Sequence, residues 1–165
     1  MKIYHGSIQI VEKPIVVDTQ RFLDFGKGFY ATSHRLQAER WASIKQKRNA
    51  KNCNAVLNVY EICDDVLESG NYNVKKFLSA NEDWLDFVFN NRKGNDSHDF
   101  DIVIGPVAND TLYATLSLYE ANILTKNETI ARLKTHTLFD QISFHNDRVL
   151  SELKFVESCL VSCEF

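Results

Sequence analysis

The stretch Asp24–Trp41, DFGKGFYATSHRLQAERW, decides how this chain is read. Gly26 and Gly28 allow positive φ or close backbone approach, so the loop can set an aromatic ring against a flat ligand. The Phe29-Tyr30 pair follows at once, and Trp41 lies eleven residues beyond Tyr30. Taken alone, Tyr30 and Trp41 would be core aromatics. A phosphate-cradling GxGxxG loop is excluded by pattern, because Phe29-Tyr30-Ala31 leaves the third glycine missing. Asp24, ahead of the glycines, fits an Asx turn that fixes the loop. Ser33 is placed to cap a helix running to about Arg48, with Leu36, Trp41 and Ile44 on one face. The basic run Arg40–Lys51, including Lys45, Lys47 and Arg48, reads as the exposed face of that helix, which could also touch an anionic target.

Working outward, Lys2–Gly6 is a short strand and Ala55–Ile62 a β-rich central strand. Ser79-Ala80-Asn81-Glu82 has the capping-box pattern and opens a helix carrying Trp84, Leu85, Val88 and Phe89. Lys93–Asp99 is a polar loop, followed by a strand over Phe100–Gly105. Asn109 or Asp110 caps a helix displaying Leu112, Leu116 and Tyr119. A second capping box, Thr125–Glu128, turns Ile130 and Leu133 inward. Gln141–His145 alternates as a strand, with Ile142 and Phe144 on the core face and Gln141, Ser143 and His145 opposite. A short helix and a strand near Ser158–Cys163 close the chain. Strands at both ends with helices gathered in the middle predict an α+β class and a single domain over residues 1–165.

Composition narrows the options. The chain has 165 residues, 44% of them hydrophobic, which suffices for one sizeable core. A formal charge of −3 argues against a general nucleic-acid binder. No apolar run approaches the ~20 residues of a membrane span, and the N-terminus lacks a signal-peptide segment, so a cytoplasmic location is expected. Cys53, Cys63, Cys159 and Cys163 show no CxxC spacing; reduced thiols and no metal site are expected.

Tyr4-His5-Gly6-Ser7 brings a histidine, bare backbone and a hydroxyl to a strand end, which alone reads as an ordinary turn. Together with Phe25-Gly26-Lys27-Gly28-Phe29-Tyr30-Ala31, however, it resembles the NAD-binding core of the ADP-ribosyltransferase superfamily, in the branch of diphtheria toxin and the poly(ADP-ribose) polymerases. Trp41 stands where that branch carries a second aromatic, usually tyrosine. Over nearly its full length the chain resembles small, largely uncharacterised bacterial proteins of that superfamily, through Asp101–Ala108 and Asp140–His145.

The resemblance implies a split β-sheet core and NAD as substrate, with no metal. It implies that His5 bonds the adenosine-side ribose, that the Gly6 backbone and Ser7 hold the nicotinamide carboxamide, and that Tyr30 and Trp41 clamp the nicotinamide ring. Tyr4, Gly28 and Phe29 belong to the same NAD-binding segments. The catalytic glutamate of most active members corresponds here to Gln141, beside Asp140, which would point away. Glutamine carries no charge, so it helps a positively charged transition state less. Expected is therefore mono-ADP-ribosyl transfer to an unidentified macromolecular or small-molecule acceptor, in the manner of a toxin neutralised by an antitoxin protein. The alternative is a non-catalytic NAD- or ADP-ribose-binding module that regulates a partner. His145 fits a solvated or capping role, with a base near the site as the sharper option.

Overall fold

The computed structural model describes residues 1–17, 23–49, 53–95, 98–107, 110–133 and 139–162, excluding the side chains of 110–113. The element order is β1 (Lys2–Ser7), β2 (Phe29–Ala31), α1 (Arg35–Arg48), β3 (Val56–Glu61), α2 (Asp64–Glu68), β4 (Val74–Lys76), α3 (Glu82–Arg92), β5 (Ile102–Pro106), α4 (Asp110–Glu120), α5 (Lys126–Leu133), β6 (Asp140–Phe144), α6 (Asp147–Leu150) and β7 (Lys154–Leu160). This is an α+β arrangement of two sheets and, among the described residues, six helices. No helix there is long and apolar enough to cross a membrane.

One sheet has the order β1-β3-β7 and is antiparallel throughout. The other runs β2-β6-β5-β4, with only the β4–β5 pair parallel. The sheets meet where Tyr4 and Thr32 exchange backbone hydrogen bonds of 2.8 and 3.0 Å. Ile3, Phe29, Tyr60, Ile102, Ile142 and Phe144 form the core at this junction. A second group, including Phe25, Trp84, Leu85, Val103 and Leu133, packs α3–α5 residues against the second sheet. Both faces of β6 are therefore covered, and Gln141 and Ser143, read as the face opposite the core, are buried as well.

Helix α1 differs from its expected face. Leu36 is 64% exposed, while Ala38 and Ala42 are fully buried. The reason lies in β1: a Cβ on Gly6 would meet the Ala38 carbonyl oxygen at 2.0 Å and the Ala42 nitrogen at 2.7 Å. Backbone thus packs directly on backbone, and small residues rather than large apolar ones define the contact. The expected Ser33 cap is also displaced. His34 is the N-cap residue and makes no side-chain cap bond. Asp140 Oδ1 accepts from Thr32 Oγ1 (2.9 Å) and from Ser33 N (3.1 Å), a tertiary contact that fixes the residues leading into the helix. At α3 the cap is Asn81, whose Oδ1 accepts from Trp84 N, rather than Ser79. The Thr125–Glu128 box forms as expected, with Glu128 Oε2 accepting from Thr125 N and Thr125 Oγ1 from Glu128 N. Asn109 and Cys163 lie outside the described residues, as do the side chains of Asp110 and Leu112. Cys53, Cys63 and Cys159 are free thiols.

Candidate functional site

A cleft of about 560 Å³ opens beside the junction of the sheets, within the usual size range for small-molecule sites. His5 and Ser7 reach it from β1, Gly28, Phe29 and Tyr30 from the glycine loop and β2, Trp41 from α1, and Gln141 from β6. Asp24, Lys45, Arg48 and the apolar residues Val11, Ile15, Ile44 and Val107 also line it. Tyr4 and Gly6 are not among the lining residues. Tyr4 packs instead with Ala38, Leu57 and Val59, as alternation along β1 requires once His5 turns to the cleft.

The glycine loop is held from several sides. Gly26 adopts φ 82°, a left-handed conformation that glycine takes without strain. At Gly28 the constraint is space, because a Cβ would come within 2.9 Å of the Phe144 carbonyl oxygen. The Tyr30 hydroxyl folds back on its own loop, donating to Gly26 O (2.6 Å) and accepting from Phe25 N (3.1 Å). Two histidines grip the loop through its carbonyls. His98 Nε2 donates to Phe25 O (3.0 Å), and His145 Nδ1 donates to Lys27 O (2.7 Å). Their rings meet edge to face at 4.6 Å. His145 also lies 2.8 Å from Ser143 Oγ. It is thus a prop for the loop rather than a solvated or capping residue, and it does not line the cleft.

Electrostatics shape the two ends differently. His5 Nδ1 lies 2.6 Å from the Tyr30 carbonyl oxygen and must donate to it. Burial, aided by the charge of Lys45, pulls the His5 pKa down from 6.5 to about 3. The ring is therefore neutral at pH 7, leaving Nε2 as a hydrogen-bond acceptor on a cleft-lining side chain. Lys45 as a residue is exposed, yet its ammonium is packed among protein atoms, donating to Gly6 O at 2.6 Å. Desolvation lowers its pKa. Gly6, whose backbone is expected to hold a carboxamide, thus has its carbonyl taken by a lysine ammonium in this structure.

At the other end, the carboxylate of Asp24 is divided between two partners. Oδ1 lies 3.1 Å from Arg92 Nε, and both side chains are 9% exposed. Oδ2 accepts from Gln141 Nε2 at 3.2 Å. The Asp24 backbone carbonyl accepts from Asn91 Nδ2 (3.2 Å), so the end of α3 fixes this residue twice. Asp24 therefore turns its side chain to Arg92 and Gln141, beyond the local Asx-turn role expected of it.

Among the described residues no group of three or more His, Cys, Asp or Glu is placed to hold a metal ion. Sequence reading missed Lys45 and Arg48 as cleft residues because periodicity reports which face of α1 they occupy, not what stands opposite. It likewise gave Asp24 no partner, since Arg92 and Gln141 are remote in the chain. Comparison with curated proteins gave no match, and neither did comparison with solved structures. A family model described as a protein of unknown function, DUF3990, matches residues 1–155, and the chain belongs to that family.

Proposed function

We propose that this chain is an NAD-dependent mono-ADP-ribosyltransferase built on an ADP-ribosyltransferase-like two-sheet core. The observation that carries the reading is convergence: residues from β1, the glycine loop, α1 and β6, far apart in sequence, line one cleft. The cleft combines aromatic walls with two cations, which suits a ligand having flat rings and a diphosphate. In this reading Tyr30 and Trp41 clamp the nicotinamide, and the bare Nε2 of His5 accepts from a ribose hydroxyl. Lys45 yields the Gly6 carbonyl to the carboxamide and turns to the diphosphate beside Arg48. Cleavage of the nicotinamide–ribose bond leaves the electron pair on the ring nitrogen. An acceptor nucleophile then bonds the anomeric carbon and releases its proton to solvent. The acceptor is a macromolecule or small molecule of the cytoplasm, and a toxin restrained by an antitoxin protein fits this chemistry.

A second reading, a non-catalytic NAD- or ADP-ribose-binding module, draws on one observation: the amide of Gln141 stands where a carboxylate would serve catalysis better. Tryptophan fluorescence and label transfer separate the two. The chain has two tryptophans, and Trp84 is fully buried with its Nε1 donating to Pro106 O, so quenching by added nicotinamide reports Trp41. Quenching together with transfer of labelled ADP-ribose to a component of a cell extract supports the enzyme. Quenching without nicotinamide release from NAD supports the module. No quenching and no NAD binding by calorimetry defeats both. Trp41→Ala and Tyr30→Ala should each weaken NAD binding about tenfold, the loss of one stacking face.

A further inference from the structure

Asp24 is a buried carboxylate on the cleft wall, and the transfer chemistry proposed above develops positive charge in that cleft. Its side chain bridges Arg92, which is not among the lining residues, and Gln141, which is. Of this ion pair, Asp24 is the member that lines the cleft. We infer that Asp24, rather than residue 141, is the carboxylate of this site, and that residue 141 is an amide because Asp24 is there. This assignment rests on the NAD reading above.

The physical argument is one of charge and space. A glutamate at position 141 would place its carboxylate where the amide nitrogen now lies 3.2 Å from Asp24 Oδ2. Both residues are more than nine-tenths buried. Two carboxylates that close in such surroundings cannot both ionise, so one would take up a proton and the site would gain no negative charge. An amide removes the conflict: its nitrogen donates to Asp24 while its oxygen stays available as an acceptor. Arg92 completes the arrangement by pairing with the other oxygen of the Asp24 carboxylate, Oδ1, at 3.1 Å. When the nicotinamide–ribose bond breaks, its electron pair leaves with the nicotinamide nitrogen and positive charge spreads over the anomeric carbon and ring oxygen. A fixed carboxylate in a site with little water stabilises that charge as it develops. Asp24 forms no covalent bond in this scheme; the acceptor's lone pair closes the new bond, and its proton passes to solvent.

The experiment compares wild type, Asp24→Asn, Gln141→Glu and the double swap Asp24→Asn/Gln141→Glu. Each is checked for folding by circular dichroism, for NAD affinity by calorimetry and for nicotinamide release from NAD. Asp24→Asn should lose at least about 100-fold in the rate of nicotinamide release, the range for removal of one transition-state contact, with NAD affinity within about threefold of wild type. Gln141→Glu should melt at lower temperature and release nicotinamide no faster than wild type. The double swap keeps one carboxylate and one amide in the buried pair, and should recover at least about tenfold of the lost rate. It decides the question even where Asp24→Asn alone fails to fold. Nicotinamide release by Asp24→Asn within about threefold of wild type overturns the assignment alone, as does a Gln141→Glu variant faster than wild type. A wild-type protein that neither binds nor cleaves NAD overturns the parent reading and this assignment together.

Discussion

Acidification should expose the cost of keeping His5 neutral. The His5 pKa falls from 6.5 to about 3 in the folded chain, first through burial and then through the charge of Lys45. Below pH 6.5 the unfolded chain gains a proton at His5 that the folded chain refuses, so stability falls as pH falls. The loss begins near the unfolded pKa of 6.5 and levels off near the folded value of about 3. At pH 5 the unfolded imidazole is almost fully protonated and the folded one almost fully neutral. The ratio of binding terms corresponds to about 2 kcal/mol of lost stability relative to pH 7.5. That figure is insensitive to the folded value so long as it lies below about 4. Other groups titrate in the same range, so the quantity to read is a difference between proteins. His5→Asn removes the titration while keeping a side-chain donor for the Tyr30 carbonyl. Urea melts of both proteins at pH 7.5, 6.5, 5.5 and 5.0 give the two slopes, and the wild-type curve should fall about 2 kcal/mol further by pH 5. Parallel curves would refute the reasoning, because they would mean that His5 takes up its proton equally in both states.

Three further outcomes follow from the cleft and its supports. Gly6→Ala drives a methyl into backbone atoms of α1 and should cost about 3 kcal/mol or more, seen as a lower urea midpoint; a midpoint near wild type would mean that α1 lifts from β1 without penalty. Lys45→Met should raise the His5 pKa while leaving it below 6.5, since burial is the larger cause; imidazole proton shifts in an NMR titration measure this, and an unmoved pKa would exclude a Lys45 contribution. Tyr30→Phe removes the hydroxyl that joins Gly26 O and Phe25 N and should cost about 1–2 kcal/mol, again by urea melts, with no loss expected if the loop is held by the two histidines alone.

How far the sequence discloses this structure depends on the range of the interaction. The strands over Val56–Glu61 and Ile102–Pro106 carry more than one β-branched residue each, Lys2–Ser7 includes the β-favouring pair Ile3-Tyr4, and the Thr125 box is a purely local device. Phe29–Ala31 and Val74–Lys76 have three residues each, too few for a period; they are strands because β6 and β5 offer them hydrogen bonds. The α1 face misleads for a related reason. Amphipathic spacing favours the large residue Leu36, but Gly6 admits only Ala38 and Ala42. At the site, the segment resemblance identifies His5, Tyr30, Trp41 and Gln141, which share the cleft in the structure. The charges that act on those residues come from Lys45, Asp24 and Arg92, and pairings across 39 to 117 positions leave no mark in local sequence.

The junction between the sheets has a mechanical consequence. Tyr4 and Thr32 are joined by a reciprocal backbone pair, and one residue further along the His5 side chain bonds the Tyr30 carbonyl. An imidazole thus does the work of a main-chain amide and extends a two-bond seam to three. Because the same histidine also lines the cleft, the seam forms one fixed edge of its mouth. Any widening to admit a bulky molecule must pivot about that edge, as a page turns at its spine. The amide protons of Tyr4 and Thr32 would then be the last at the opening to exchange with solvent.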